Sequence, residues 1–305
     1  MTDRRYRQPL PLGGGEDGLP YSKGLMARAL IAAGLSADRA YELALAVEAD
    51  LAAQGRPSTT LERLEEVAVQ KLGAEDGTMA MQRLRRYRDL YELDVPIILL
   101  VGGATGTGKS SVATEAAYRL GITRVTSTDF VRQTMRAFFS TEFMPAIHHS
   151  SFEAGRAIAG DEDDSTQAVL DGFMEQTREV LVGVRAAIDR ALEEGWSIVL
   201  EGVHLVPGML PKQIEGALLV ECVLAIDDAE AHASHFWIRD TDSEGVRPYE
   251  KYLDAFEDIR LIQTYILGRA RKHSVRVIEN GNIEEAIGEV MELVLAAAQP
   301  AAVGG

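Results

Sequence analysis

The sequence holds one cysteine, two tryptophans and ten prolines in 305 residues, and its 31 basic side chains face 47 acidic ones. A single thiol, Cys222, excludes an intramolecular disulfide. It sits in the apolar run ALLVECVLAI, where a buried, reduced cysteine is expected and a catalytic thiol is not. No apolar run reaches the ~20 residues of a membrane-spanning helix; VPIILLV and ALLVECVLAI are the longest. The opening MTDRRYRQPLPLGGGEDGLP lacks an apolar stretch of the secretory kind, so a cytoplasmic protein without a membrane partner is expected. A net charge of −16 disfavours broad neutralisation of nucleic-acid phosphates, so no nucleic-acid partner is expected either. His148 and His149 are adjacent, but no ligand cluster at suitable spacing makes them a zinc pair.

What remains is an ordinary globular composition, 46% hydrophobic and 26% charged. The length suits one large domain plus a small one. The charge is uneven: residues 1–95 carry a net −2 and the rest −14. An acidic chain that binds anions must gather its few arginines at the site, so those of the second part matter most.

Residues 1–20, rich in proline, glycine and charge, read as a mobile segment. Over 21–92 the apolar spacing is helical, from SKGLMARALIAAGL through SADRAYELALAVEADLAAQG, with Ser36 as N-cap and Gly55 as stop, to STTLERLEEVAVQKLG and GTMAMQRLRRYRDLYEL. This predicts a small helical domain. Over 93–298 the pattern alternates. VPIILLVGG, TRVTST, WSIVLEG, ALLVECVLAI and VRVIEN read as strands. The helices between and after them are SSVATEAAYRLG, DFVRQTMRAFF, the long TQAVLDGFMEQTREVLVGVRAAIDRALEEG, EKYLDAFEDIRLIQTYILGRARKH and IEEAIGEVMELVLAAA. Such alternation predicts an α/β fold, a parallel sheet with helices on both faces. Residues 299–305 read as a flexible tail.

GATGTGKS, Gly103–Ser110, matches G-x-x-x-x-G-K-[ST] in full, with a strand before it and a helix after it. Gly103, Gly106 and Gly108 free the backbone to turn its N–H groups inward as an anion nest, which also involves Thr105 and Thr107. The helix start adds its positive dipole end. Lys109 is placed to reach the β- and γ-phosphates of ATP, Ser110 to ligate Mg²⁺, and Ser111 to meet the α-phosphate. The loop is shared by GTPases, motors and transporters, so the rest of the site must specify the reaction.

Asp129, at the end of the second strand, falls on the edge where ligands gather in open α/β sheets. It reads as a base for an attacking hydroxyl, as the N-cap of the next helix, or as both. Arg132 and Arg136 lie one turn apart, spaced to grip a phosphate and a carboxylate. Glu201 ends an apolar strand, where a carboxylate orients Mg²⁺. His204 follows as a substrate contact or a structural hydrogen-bonding group. The polar stretch HFWIRDTDSEGVRPYEKY reads as a lid, with Arg239 and Arg247 set to offset charge on the transferring phosphoryl group, or as a solvated loop.

The segments PYSKGLMARAL, GGATGTGKSSVATEAAYRLGI, STDFVRQTMR, LEGVHLVPG and YLDAFEDIRLIQTYI, spread in order over about residues 20–290, together resemble the 2-phosphoglycerate kinase family. The resemblance implies a P-loop kinase domain behind an N-terminal module like the ATP-cone. It also implies ATP-dependent phosphorylation of 2-phosphoglycerate at its 3-hydroxyl, with Mg²⁺ accompanying ATP. The partners expected are therefore ATP and a small anionic phosphorylated substrate, with a homo-oligomer left open. Another phosphorylated polyol or acid, such as an inositol phosphate, is the alternative acceptor. A non-catalytic ATP-responsive binding protein is the alternative of another class.

Overall fold

A computed structural model describes residues 21–93, 95–159, 165–242 and 249–299. The segment 1–20, the tail beyond 299 and Arg247 therefore lie outside the described residues. Chain packing divides the protein into two compact units, one of residues 1–94, 118–121 and 291–305, the other of 95–117 and 122–290.

In the first unit, α1 (Lys23–Ala32), α2 (Ala37–Gln54), α3 (Leu61–Leu72) and α4 (Ala74–Glu92) enclose a core that includes Met26, Leu30, Leu43, Leu64, Met81 and Leu84, each fully buried. Ser22 and Thr60 cap α1 and α3 through their hydroxyls, and Gly55 closes α2 in the left-handed conformation. The fourth helix starts earlier than the sequence pattern suggests. Gly77 lies within it because the backbone of Val69 on α3 passes where a Cβ would be.

The second unit is built on β1 (Ile97–Gly103), β2 (Val125–Ser127), β3 (Ile198–Glu201), β4 (Leu218–Ala225) and β5 (Arg276–Glu279). Among the described residues they form one parallel sheet in the order β2-β3-β1-β4-β5. All seven residues of β1 are buried, as a central parallel strand covered on both faces requires. Each large aliphatic side chain so buried contributes about 1.5–3 kcal/mol. The chain leaves β1 towards one edge of the sheet and β4 towards the other, and these two strands are neighbours. The crevice beyond their carboxyl ends is the switch point where α/β sheets bind ligands.

Helix α5 (Lys109–Arg119) follows β1, and α6 (Thr128–Arg136) follows β2. Helix α8 (Thr166–Glu194) runs 29 residues between a Ser165 cap and a left-handed Gly195. It buries Val169, Phe173, Val180, Val184 and Ile188 at helical spacing. A single 3-10 turn at Ala146–His148 and the short α7 (Arg156–Ala159) precede it. Cys222 is buried in β4, and burial pushes its thiol up to about 12, in keeping with a reduced structural cysteine.

Two segments depart from the sequence expectation. The polar stretch read as one loop begins in a helix, α9 (Ala229–Asp242), so Arg239 stands on a helix; the side chains from 237 on lie outside the described set. The region 250–273, read as one helix, is two: α10 (Tyr249–Asp254) and α11 (Phe256–His273). Ala255, at φ −99° and ψ 14°, separates them without a glycine or proline to announce it. Helix α12 (Ile283–Ala297) follows β5.

Candidate active site

The loop Gly103–Ser110 leaves the carboxyl end of β1 and opens α5. Gly103, Gly106 and Gly108 all have positive φ, at 142°, 87° and 77°. Ala104 O gathers three donors: Lys109 Nζ at 2.8 Å, Thr107 Oγ1 at 2.9 Å and the Thr107 amide at a long 3.4 Å. Lys109 is thereby folded back over the loop, its ammonium held by a loop carbonyl. The outer faces of the loop are held as well. His232 Nε2 donates to Thr105 O at 2.8 Å, His235 Nδ1 to Gly106 O at 3.0 Å, and Asn280 Nδ2 to Thr107 O at 2.9 Å.

Register sets the neighbouring edge. Glu201 pairs with Val101 of β1 on one side and with Ser127 of β2 on the other, so β2 and β3 end level while β1 runs two residues further, to Gly103. Glu201 is buried, and its Oε1 accepts from Ser110 Oγ at 3.0 Å. Both are hard oxygen donors of the kind Mg²⁺ selects. Among the described residues no group of three or more His, Cys, Asp or Glu converges to cage a metal. A hydroxyl and a carboxylate supply part of the oxygen shell such a cation takes and leave its other positions to further ligands.

The second half of the site starts at α6. Ser127, not Asp129, is its N-cap, accepting from Phe130 N at 3.0 Å. The cap lies two residues before Asp129 and the helix opens at Thr128, which leaves that carboxylate in the first turn, with its side chain 56% exposed. Asp129 Oδ1 accepts from both Nε and Nη2 of Arg132, at 3.0 and 2.8 Å. The remaining nitrogen, Nη1, reaches Ile147 O and His149 O, each at 2.7 Å. Arg132 is buried, and these bonds commit it to holding Asp129 against the 147–149 turn. Arg136 turns instead to Gln133 Oε1 at 3.0 Å and is exposed, so the two arginines do not form the joint anion grip their spacing suggested.

His204 is 1% exposed and has both ring nitrogens engaged. Gln176 Nε2 donates to Ala146 O at 2.6 Å and His149 O at 3.1 Å, which turns its Oε1 towards His204 Nε2 at 2.9 Å. Because that oxygen only accepts, Nε2 carries the proton. Nδ1 then accepts from the Thr128 hydroxyl at 2.8 Å. Burial, with Arg132 and Lys109 positive nearby, pushes the imidazole down to about 3, so the ring is neutral. Of the two roles the sequence left open, the geometry matches the structural one: His204 ties Thr128, beside Asp129, to α8.

The structure thus brings together Ser110 with Glu201, Asp129 with Arg132, and His204 with Thr128. Arg136 stands apart, and Arg247 is outside the described residues. Sequence reasoning missed Gln176, His232, His235 and Asn280. Each bonds to a backbone carbonyl or to another side chain, a task with no spacing signature.

No helix among the described residues is long and apolar enough to cross a membrane. No family model matches the sequence. Curated relatives do match along nearly its whole length. A 2-phosphoglycerate kinase of Methanopyrus kandleri is 34% identical over 277 residues, covering 90% of this chain and 84% of the relative. One of Pyrococcus horikoshii is 35% identical over 277 residues, covering 91% and 90%. One of Methanothermobacter thermautotrophicus is 38% identical over 274 residues, covering 90% and 89%.

Proposed function

The chain belongs to the 2-phosphoglycerate kinase family, and from that premise we propose that it moves the γ-phosphoryl group of ATP onto the free 3-hydroxyl of 2-phosphoglycerate, giving 2,3-bisphosphoglycerate and ADP. The observation that carries the reading is the Ser110–Glu201 hydrogen bond of 3.0 Å at the mouth of the phosphate loop. It supports the reading by pairing two oxygen donors suited to a cation on the same sheet edge as Asp129, a carboxylate held by Arg132 and half-exposed.

In this reading the inward amides of 103–111 and Lys109 bind the triphosphate. Asp129 orients the acceptor hydroxyl and takes its proton as the acceptor oxygen bonds to the γ-phosphorus and the bond to the β-phosphate oxygen breaks. Arg132 and His204 act through Asp129 and Thr128 by fixing their positions. Arg136, exposed one turn along, is left to meet the acceptor's own anionic groups. Arg239 and Arg247 supply positive charge to the transferring group. Ser110 and Glu201 would hold Mg²⁺, which when bound neutralises phosphate charge. Alignment of the two substrates supplies most of the acceleration, a contribution worth about 7–11 kcal/mol in well-oriented systems. We assign residues 21–92 as the helical domain and 93–298 as the kinase domain, and we place the enzyme in the cytoplasm.

The direct test is ADP release from Mg·ATP with and without 2-phosphoglycerate. Release that depends on the acceptor is expected. Equal release in both, or none, overturns the assignment, and a panel of phosphorylated polyols then identifies any other acceptor.

A further inference from the structure

Three successive carbonyls of the phosphate loop, those of Thr105, Gly106 and Thr107, are each bonded from outside by a side chain from a distant part of the chain. Among the described residues every peptide bond is trans, so each N–H points opposite to the carbonyl of the same peptide plane. Fixing the carbonyls of 105, 106 and 107 outward therefore turns the amides of Gly106, Thr107 and Gly108 inward. Successive inward amides of this kind form an anion nest, the Thr107 one meeting Ala104 O only at a long 3.4 Å.

The donors are themselves built in. His232 is fully buried, with Nε2 towards Thr105 O and Nδ1 facing Arg260 Nη1 at 3.5 Å. Arg260 is anchored in turn by Ile226 O at 2.6 Å and Asp227 O at 2.9 Å. A carbonyl only accepts, so the proton sits on Nε2 of His232 and on Nδ1 of His235. One helical turn beyond His232, Phe236 packs against Gly106, where any Cβ would collide with the ring. It stacks on Tyr252 of α10, with centroids 5.0 Å apart and planes 3° from parallel. Asn280 is buried at the end of β5, and its backbone N–H is tied to Ala225 O.

We propose that His232 and His235 of α9, with Asn280, are positioning residues that hold the phosphate loop in its anion-binding form by bonding its outward carbonyls. The inference rests on the nucleotide-binding reading above and deepens it. None of the three side chains need touch the nucleotide. Their effect is to spare the loop the cost of reorganising when ATP arrives, and so it falls on nucleotide affinity rather than on the acceptor.

A crossed pair of amide substitutions tests this. A glutamine amide nitrogen sits near a histidine's Nε2, and an asparagine amide nitrogen near its Nδ1. H232Q and H235N therefore keep the donor each carbonyl uses, whereas H232N and H235Q misplace it. All four variants are polar and similar in size, so folding is little disturbed. Binding of Mg·ATP by calorimetry is expected to stay within about twofold of wild type for H232Q and H235N, and to weaken about fivefold to tenfold for H232N and H235Q, the effect of one hydrogen bond. Affinity for 2-phosphoglycerate should be unchanged in all four. If the two substitutions at each position behave alike, whether all weak or all normal, the inference is overturned. Wild-type protein that fails to bind Mg·ATP would instead overturn the functional reading beneath it.

Discussion

Ser110 Oγ donates to Glu201 Oε1 at 3.0 Å across 91 positions of sequence. The contact exists because β1 and β3 pair in parallel with Val101 opposite Glu201, so the loop after one strand and the last residue of the other meet at the same edge. A hydroxyl and a carboxylate joined in this way are already at the spacing two ligands of one small cation need.

Glu201→Gln keeps the shape and the acceptor for Ser110 but removes the charge. Turnover with Mg·ATP should fall by about 100-fold or more, in line with the loss of one preorganised electrostatic contact. ATP binding measured without metal should change less than about twofold. Turnover titrated against Mg²⁺ checks this, and an unaltered titration curve would take Glu201 out of the metal's surroundings.

Arg132→Lys probes the other half of the site. The guanidinium spans Asp129 Oδ1 on one side and two carbonyls on the other, with all four bonds between 2.7 and 3.0 Å. One ammonium cannot cover that fork. The variant should raise the KM for the acceptor and lower kcat together while the Kd for ATP holds. It should also lose about 1–3 kcal/mol of stability through carbonyls left unpaired. Steady-state kinetics beside urea unfolding separates the effects; normal kinetics with reduced stability would make Arg132 a purely structural residue.

The parts of this molecule legible in the sequence are those whose chemistry restricts residue type. Gly103–Ser110 is legible because few residues tolerate its backbone. The strand before it is legible because a strand buried on both faces must be apolar throughout. Glu201 stood out as an acid closing such a strand. Asp129 stands out in the sequence as a candidate at a strand end, yet the cap is Ser127: STD offers three capping side chains in a row, and the Ser127 hydroxyl is the one that accepts from the Phe130 N–H. The second part of helix α9, from His235 on, reads as loop in the sequence because Gly245 and Pro248 draw its polar residues into a turn pattern. The break at Ala255 carries no local signal at all. His232, His235 and Asn280 stayed hidden for a plainer reason: a backbone carbonyl accepts from any donor, so neither type nor spacing marks the partner.

Gly202 has φ 148°, and a Cβ there would overlap Thr128 Oγ1, the hydroxyl that His204 accepts. Gly202→Ala should therefore destabilise by about 1–3 kcal/mol, from backbone strain plus the displaced hydroxyl. If the overlap dominates, combining it with Thr128→Ala should cost less than the sum of the two single changes. Urea unfolding of the double-mutant cycle decides it; strict additivity would place the damage in the backbone alone.

The neutral His204 makes a prediction about pH. Its folded pKa is about 3, against an ordinary 6.5, because burial penalises the charged ring and both nitrogens already serve neutral partners. Between those values the unfolded chain binds a proton that the folded protein refuses. The stability this residue protects is thus present above about 6.5 and declines as pH falls towards 3, by roughly 1.4 kcal/mol per unit at full effect. His232, pushed down to about 4 mainly by burial, behaves in the same sense, and carboxylates shifted in both directions add their own pH dependence, so the comparison must be made between proteins. On going from pH 7 to pH 5, wild type should lose about 2 kcal/mol more than His204→Gln, whatever the two start from, since the other groups titrate alike in both. Urea unfolding at the two pH values measures the difference directly. Equal losses would mean that the folded protein accepts a proton on His204 in this range, and that the Thr128–His204–Gln176 chain is not the closed neutral network described above.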